Sequence, residues 1–203
     1  MILQKLTMKN FRQFSEIQEI DFAPQGDNNN KNVTVIFGEN GRGKTSIFRA
    51  VMFCLYGEKR LSQDEEVEQK ELSLINLSKL EEAVTEGKPV ETFVELEFIH
   101  KGGKYKIRRN LSGILVSGER IEQPGKVLLS HTKGDGNTKN VSDPEEIKSI
   151  VNTILDKNVR EYFLFDGEKI QRLTLASEGQ RREIAKGIKN LLNVEMTKSD
   201  YRL

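Results

Sequence analysis

Val33-Thr34-Val35-Ile36-Phe37-Gly38-Glu39-Asn40-Gly41-Arg42-Gly43-Lys44-Thr45 is the stretch whose reading decides the fold. Val33 to Phe37 are apolar or β-branched throughout, which predicts a short strand buried on both faces. Gly38 to Thr45 satisfy G-x-x-x-x-G-K-[ST] in full. Behind them, Ile47, Phe48, Val51, Met52 and Leu55 fall on one stripe of a helix spanning about Lys44–Leu55, and Gly57 offers its stop. A strand, a glycine-rich turn and an amphipathic helix form the context in which this pattern binds phosphate.

Each residue type in the loop has a physical task. Gly38, Gly41 and Gly43 are expected to supply positive φ and close backbone approach. Successive N–H groups from Gly38 through Glu39, Asn40, Gly41, Arg42 and Gly43 to Ser46 then converge on phosphate oxygens, aided by the dipole of the following helix. Lys44 brings a compact charge to the β- and γ-phosphates and is the expected catalytic cation. The Thr45 hydroxyl is a hard oxygen ligand for Mg²⁺. ATP and Mg²⁺ are therefore the expected substrate and metal.

Working outward, Ile2, Leu6 and Met8 predict a first strand, and Ile17, Ile20 and Phe22 a second. Residues 58–88 are charged, with a weak stripe at Leu72, Leu74, Ile75, Leu77 and Leu80; they read as a solvated helix with a loop. From Val90 to Phe98 the period changes to strict alternation, and Tyr105, Ile107 and Leu111 resume it beyond Gly102-Gly103, which predicts a β-hairpin. Val127-Leu128-Leu129 predicts another strand. Asp143-Pro144-Glu145-Glu146 opens a helix, with Asp as cap and Pro at the first helical position, carrying Ile147, Ile150, Val151, Ile154 and Leu155. A second capping pattern at Ser177–Gln180 opens a helix that reaches almost to the end.

The totals bound the rest. The chain of 203 residues is 36% apolar and 31% charged, with a net charge of +1, so overall charge gives no support for nucleic-acid binding. Lys101, Lys104, Lys106, Arg108 and Arg109 nonetheless gather on the predicted hairpin, as either a phosphate-binding patch or a solvated face. Cys54 is the single cysteine, which excludes an internal disulfide framework and fits a reducing, cytoplasmic setting. It sits in an apolar run with no base nearby, as a core residue would. No apolar run approaches the ~20 residues of a membrane helix. His100 and His131 read as strand or surface residues.

Three stretches carry a family resemblance. Gly38-Glu39-Asn40-Gly41-Arg42-Gly43-Lys44-Thr45 resembles the G-x-N-G-x-G-K-[ST] loop of the SMC/Rad50/RecF group of ATPases, and Leu6-Thr7-Met8-Lys9-Asn10-Phe11-Arg12-Gln13-Phe14 resembles that group's opening strand and turn. Tyr162-Phe163-Leu164-Phe165-Asp166-Gly167-Glu168-Lys169-Ile170 is similar to the Q-loop strand of a Rad50-type head, in the variant form found in DndD, the ATPase of DNA phosphorothioation systems. The resemblance implies an α/β ABC-type ATPase head, of which residues 1–203 are the N-terminal part. Residues 58–140 would be its variable β-rich part and 177–203 a helix at the base of a coiled coil. It implies Arg12 as a nucleotide contact and Asp166, in place of the group's Gln, as a catalytic and Mg²⁺-binding residue, with Gln171 as the alternative. It also implies a C-terminal half that completes the head, a dimer of heads closed by ATP, contact with DNA and with other phosphorothioation proteins, and no membrane.

A complete head of this group needs a signature helix, a Walker B acidic pair and a switch His, none of which is legible here. Leu111-Ser112-Gly113-Ile114-Leu115 starts like a signature but lies among predicted strands. Two other readings stay open. In a complete small P-loop NTPase, Asp166 would be the Walker B acid and Glu168 the base. In an ABC transporter subunit, the Q-loop would lie much nearer the P-loop.

Overall fold

Six strands make one antiparallel sheet in the order β2-β1-β3-β4-β5-β6. The computed structural model describes residues 1–23, 33–61, 72–85, 87–156 and 160–164, and the chain divides into two compact units, Met1–Lys148 and Ser149–Leu203. In the first unit lie β1 (Ile2–Phe11), β2 (Phe14–Asp21), α1 (Lys44–Tyr56), α2 (Leu77–Val84), β3 (Val90–His100), β4 (Gly103–Val116), β5 (Glu119–Thr132) and β6 (Thr138–Val141).

The alternation read at β3 sets the two faces of the sheet. Leu6, Leu96, Ile107, Leu129 and Val141 face one another through successive pairings of β1, β3, β4, β5 and β6, and all are buried. Burying such a row supplies the main driving force of the unit. The opposite face carries Lys5, Glu95, Glu97, Lys106 and Arg108 in the intervening registers. A strand with one wet face reads as apolar–polar alternation for this reason.

α1 packs against the apolar face. Cys54 lies fully buried between helix and sheet, its Sγ 3.3 Å from the Ile107 carbonyl and 3.5 Å from that of Val94. Burial pushes the thiol up to about 12, because a thiolate there would lose its solvation. The helix is buried more widely than a single stripe: Arg49, Ala50, Val51, Met52, Phe53, Cys54 and Leu55 are all inside. Gly57, at φ 73°, turns the chain out of the helix with its N–H on the Phe53 carbonyl.

The stretch at 58–88 differs from its solvated reading. Leu74, Ile75 and Leu80 are core residues. Asn76 caps α2 by accepting from the Lys79 N–H at 3.0 Å. Gly113, inside the signature-like Leu111–Leu115, belongs to β4, and a Cβ there would collide with the Ile75 side chain. That run is therefore strand interior with room made for a neighbour. β5 is longer than the predicted Val127–Leu129. Pro124 and Gly125 sit at the register shift opposite Arg109 and Leu111, where a missing N–H costs no ladder bond.

The largest departure is at Val33–Phe37. These residues form no strand, and among the described residues they have no ladder partner. Val35 is 81% and Phe37 97% exposed. The sequence carries strand propensity, but a buried parallel strand exists only where neighbours pair with it on both sides.

The helix predicted from Asp143 is α3 (Pro144–Ile154). The Asp143 carboxylate accepts from the Glu146 N–H at 3.1 Å, as the capping pattern requires. In the second unit Val151, Ile154 and Leu155 are buried. Arg160–Phe163 form a short helix, α4, with Arg160 N–H on the Asp156 carbonyl and Leu164 N–H on that of Arg160. Tyr162 and Phe163 are thus helical, where the Q-loop likeness implied the end of a strand. Phe165–Leu203 lie outside the described residues. No helix among those described is long and apolar enough to cross a membrane.

Candidate nucleotide site

The P-loop takes the backbone form that its glycines permit. Gly41 has φ 80° and Gly43 φ 104°, both in the left-handed region that a side chain disfavours. Gly38 does not share that conformation, which corrects the expectation for the first glycine. Gly43 is also closely approached: a Cβ there would lie 2.6 Å from Phe14 Cζ and 3.0 Å from Gln13 Nε2, so that those side chains would have to move. The turn between β1 and β2 therefore packs directly on the loop.

Gly43 is also the N-cap of α1, and no side chain caps that end. The first N–H groups of the helix keep their donor capacity for an anion, reinforced by the helix dipole. Lys44 Nζ reaches back across the loop to the Gly38 carbonyl at 2.7 Å and that of Glu39 at 2.8 Å. Its ammonium is thereby held over the concave side, while Arg42 pairs with Glu39 on the rim at 3.3 Å. Asn40 and Thr45 are exposed at the loop and at the first helical turn. Ser46 differs: it is buried, and its hydroxyl donates to Gln13 Oε1 at 2.7 Å. Its contribution to a nucleotide is confined to its backbone.

Arg12 is brought to this site. Its Nε donates to Ser46 Oγ at 3.1 Å, placing the guanidinium at the first turn of α1. Its Nη1 donates to the Ser73 carbonyl at 3.0 Å, and its N–H to the Leu74 carbonyl at 2.8 Å. Sequence reading singled out Arg12 but gave no sign of what holds it. The Ser73–Asn76 segment and Glu122, on a distant strand, carry no motif, and only the folded sheet brings them together.

The residues present fit a Mg²⁺-nucleotide. Positive-φ glycines, an uncapped helix start, an ammonium held over the loop and an exposed threonine hydroxyl supply the donors and the oxygen that such a ligand needs. Among the described residues no cluster of three His, Cys, Asp or Glu side chains could hold a metal unaided. Asp166, Glu168 and Gln171 lie outside the described residues.

The hairpin cations are divided by the pleat. Lys106 pairs with Glu97 at 2.7 Å and Glu95 at 3.2 Å, and Arg108 pairs with Glu95 at 3.6 Å and lies over the Phe93 ring at 3.6 Å. Arg109 points the other way, under α1, and donates to the Cys54 carbonyl at 3.3 Å. Adjacent strand residues face opposite sides, so the five cations do not make one phosphate-binding face. His131 stacks on Tyr105 at 4.1 Å, and burial lowers the His100 pKa; both are strand residues, as read.

Comparison with known proteins agrees with this fold. The family model described as "AAA domain" matches residues 5–200. The chain is 26% identical over 206 residues to the DNA double-strand break repair Rad50 ATPase of Thermoplasma volcanium, covering 100% of this chain and 19% of that protein. It is 32% identical over 115 residues to the DNA replication and repair protein RecF of Clostridium acetobutylicum, covering 54% of this chain and 27% of that one. Its fold resembles a structure solved in work on ATP-driven dimerization and DNA-stimulated activation of SMC ATPases, with a TM-score of 0.52 and 20% identity over 93% of this chain and 99% of that chain. The chain thus spans about a fifth to a quarter of the length of these two curated relatives.

Proposed function

The chain belongs to the AAA domain family of SMC/Rad50/RecF-type ATPase heads, and from that premise we propose that it is the ATP-binding half of a head that hydrolyses ATP once completed. The observation that carries this reading is the P-loop itself. Lys44 is held by two loop carbonyls above an uncapped helix start, with Arg12 braced against the first turn beside it. Gly38 to Ser46 would hold the phosphates through backbone N–H groups and Thr45 the Mg²⁺, which neutralises charge on the β- and γ-oxygens when bound. Lys44 and Arg12 would stabilise charge on the phosphates, so that catalysis comes from positioning and electrostatics.

The Val33–Phe37 stretch, which has no ladder partner among the described residues, supports the second part of the reading. Apolar, β-branched and exposed, it would become a strand on pairing with a C-terminal half of the same head. A signature helix and a Walker B acid would arrive with that half, and a second head would close over the nucleotide. Through these partners hydrolysis would act on DNA, in repair as in the relatives named above. The finer assignment to a DNA phosphorothioation ATPase rests on the Tyr162–Ile170 motif, with Asp166 as the candidate Mg²⁺ ligand and hydrolytic residue.

Titration of the chain with Mg²⁺-ATP, combined with a phosphate-release assay, tests this. Binding that Lys44→Ala abolishes, with little turnover, is expected. Rapid turnover by the chain alone, lost on Asp166→Ala or Glu168→Ala, would mean that the hydrolytic apparatus is complete within these residues and the half-head reading is wrong.

A further inference from the structure

Arg12 is held in a conformation that costs energy. Its φ of 50° is left-handed, as is the φ of 50° at Asn10. Non-glycine residues stay in such regions only where their surroundings over-determine them. Here one short segment supplies much of that determination, beside Glu91, Thr92 and Glu16 at Asn10 and Ser46 at Arg12. Ser73 and Leu74 carbonyls accept from Arg12, the Asn76 amide donates to the Arg12 carbonyl at 2.6 Å, and Asn76 N–H donates to the Asn10 carbonyl at 2.8 Å. Ile75 adds an isolated bridge to Phe11.

Ser73 and Leu74 belong to no helix or strand. A carboxylate from β5 holds them. Glu122, 9% exposed in its side chain, accepts at one oxygen from Ser73 Oγ (2.6 Å), Leu74 N–H (2.9 Å) and Ile75 N–H (3.2 Å). Its other oxygen pairs with Lys59 at 3.0 Å. Three donors converging on one charged oxygen make a strong and directional grip. An amide in its place keeps its oxygen on the three donors only by turning its NH₂ against the Lys59 ammonium, and it lacks the charge that strengthens the three bonds.

We propose that Glu122 is a positioning residue of the nucleotide site: its carboxylate sets the Ser73–Ile75 segment, whose carbonyls set the Arg12 guanidinium against the first turn of α1. The inference rests on the nucleotide-binding reading above and adds a residue that touches neither the P-loop nor Arg12. Glu122 acts by fixing where a strained turn places its charge.

The test is a double-mutant cycle on the chain, titrated with N-methylanthraniloyl-ATP and Mg²⁺. Glu122→Gln is expected to weaken binding about fivefold in the wild-type background and to have no further effect in Arg12→Ala. Equal losses in the two backgrounds would show a general structural role and overturn the proposal. Ser73→Ala, which removes one of the three bonds, is expected to weaken binding about twofold and to be silent in Arg12→Ala. It carries the test if Glu122→Gln does not fold. Lys59→Met keeps the grip on Ser73–Ile75 and should bind close to wild type; a loss matching that of Glu122→Gln would trace the effect to the buried charge and overturn the proposal. Binding indifferent to Lys44→Ala would remove the nucleotide site and the positioning role together. Lys44-dependent binding unmoved by Glu122→Gln would remove the positioning role alone.

Discussion

β3 and Val33–Phe37 are both rich in β-branched and aromatic residues, yet one is the centre of a sheet and the other has no ladder partner among the described residues. Val94 and Leu96 are fully buried between β1 and β4, whereas Val35 and Phe37 are among the most exposed residues described. Composition does not separate them. β3 is followed by a tight turn and by a strand of matching alternation, so its partner is local and forms with it. The P-loop stretch needs partners on both sides, and none of the described strands can serve. Strand propensity is a demand for neighbours, and among the described residues the fold satisfies it at β3 and not at Val33–Phe37.

Five substitutions would break or sharpen this contrast. The largest effect is expected where charge already lies inside the closed region. Arg109→Glu would place a carboxylate beneath α1, against the Cys54 carbonyl, and should cost more than about 3 kcal/mol in urea unfolding, whereas Arg108→Glu on the open face should cost no more than about 1 kcal/mol. Equal effects would mean that the two faces are not distinct. Next, Leu96→Ala should cost about 2–5 kcal/mol, because its fully buried site cannot collapse around the loss.

A smaller, pH-dependent effect is expected at Glu122. Burial alone would raise its pKa, but hydrogen bonds from Ser73, Lys59 and Ile75 together outweigh it and hold the value below the ordinary glutamate range. The unfolded chain therefore takes up this proton at a higher pH than the folded one. The stabilisation is complete above the unfolded value and lost as pH falls through the folded one. Glu122→Gln should lower stability near neutrality by about 2 kcal/mol and remove that acid-dependent component, as followed by thermal melts across the acid range. Unchanged pH dependence would exclude Glu122 as its source. Smallest of all, Phe37→Ser should leave unfolding within about 0.5 kcal/mol of wild type, since the ring gives up no burial. A loss approaching that of Leu96→Ala would show that this stretch is packed after all.

Much of the fold was legible in local pattern. β1, β2, the β3–β4 hairpin, α1 and the Asp143-capped α3 follow from alternation, helical stripes and caps that each lie within a few residues. The P-loop was legible too, because its chemistry is dictated by consecutive residues. What escaped depends on contacts between distant segments. The burial of Leu74 and Ile75 is decided by the gap at Gly113. The split of the basic hairpin is decided by the register of β4 under α1. The brace on Arg12 draws on Asn10, Ser73–Asn76 and Glu122, three places in the chain with no shared signal. Val33–Phe37 misled for the opposite reason, since its pattern is clear but its partners are not local.

The outer strand β2 has a consequence for how copies of this molecule meet. Its residues Phe14-Ser15-Glu16-Ile17-Gln18-Glu19-Ile20-Asp21 place three acids and no base along a margin of the sheet. Two such margins brought side by side would bring carboxylate toward carboxylate; Lys5 and Lys79, paired with Glu19 and Glu16, lessen the repulsion without removing it, and charge on an edge strand discourages the sheet from continuing into a neighbour. At the other margin β6 is only four residues long, too short to template a lasting pairing. Among the described strands, sheet growth at either margin is thus disfavoured.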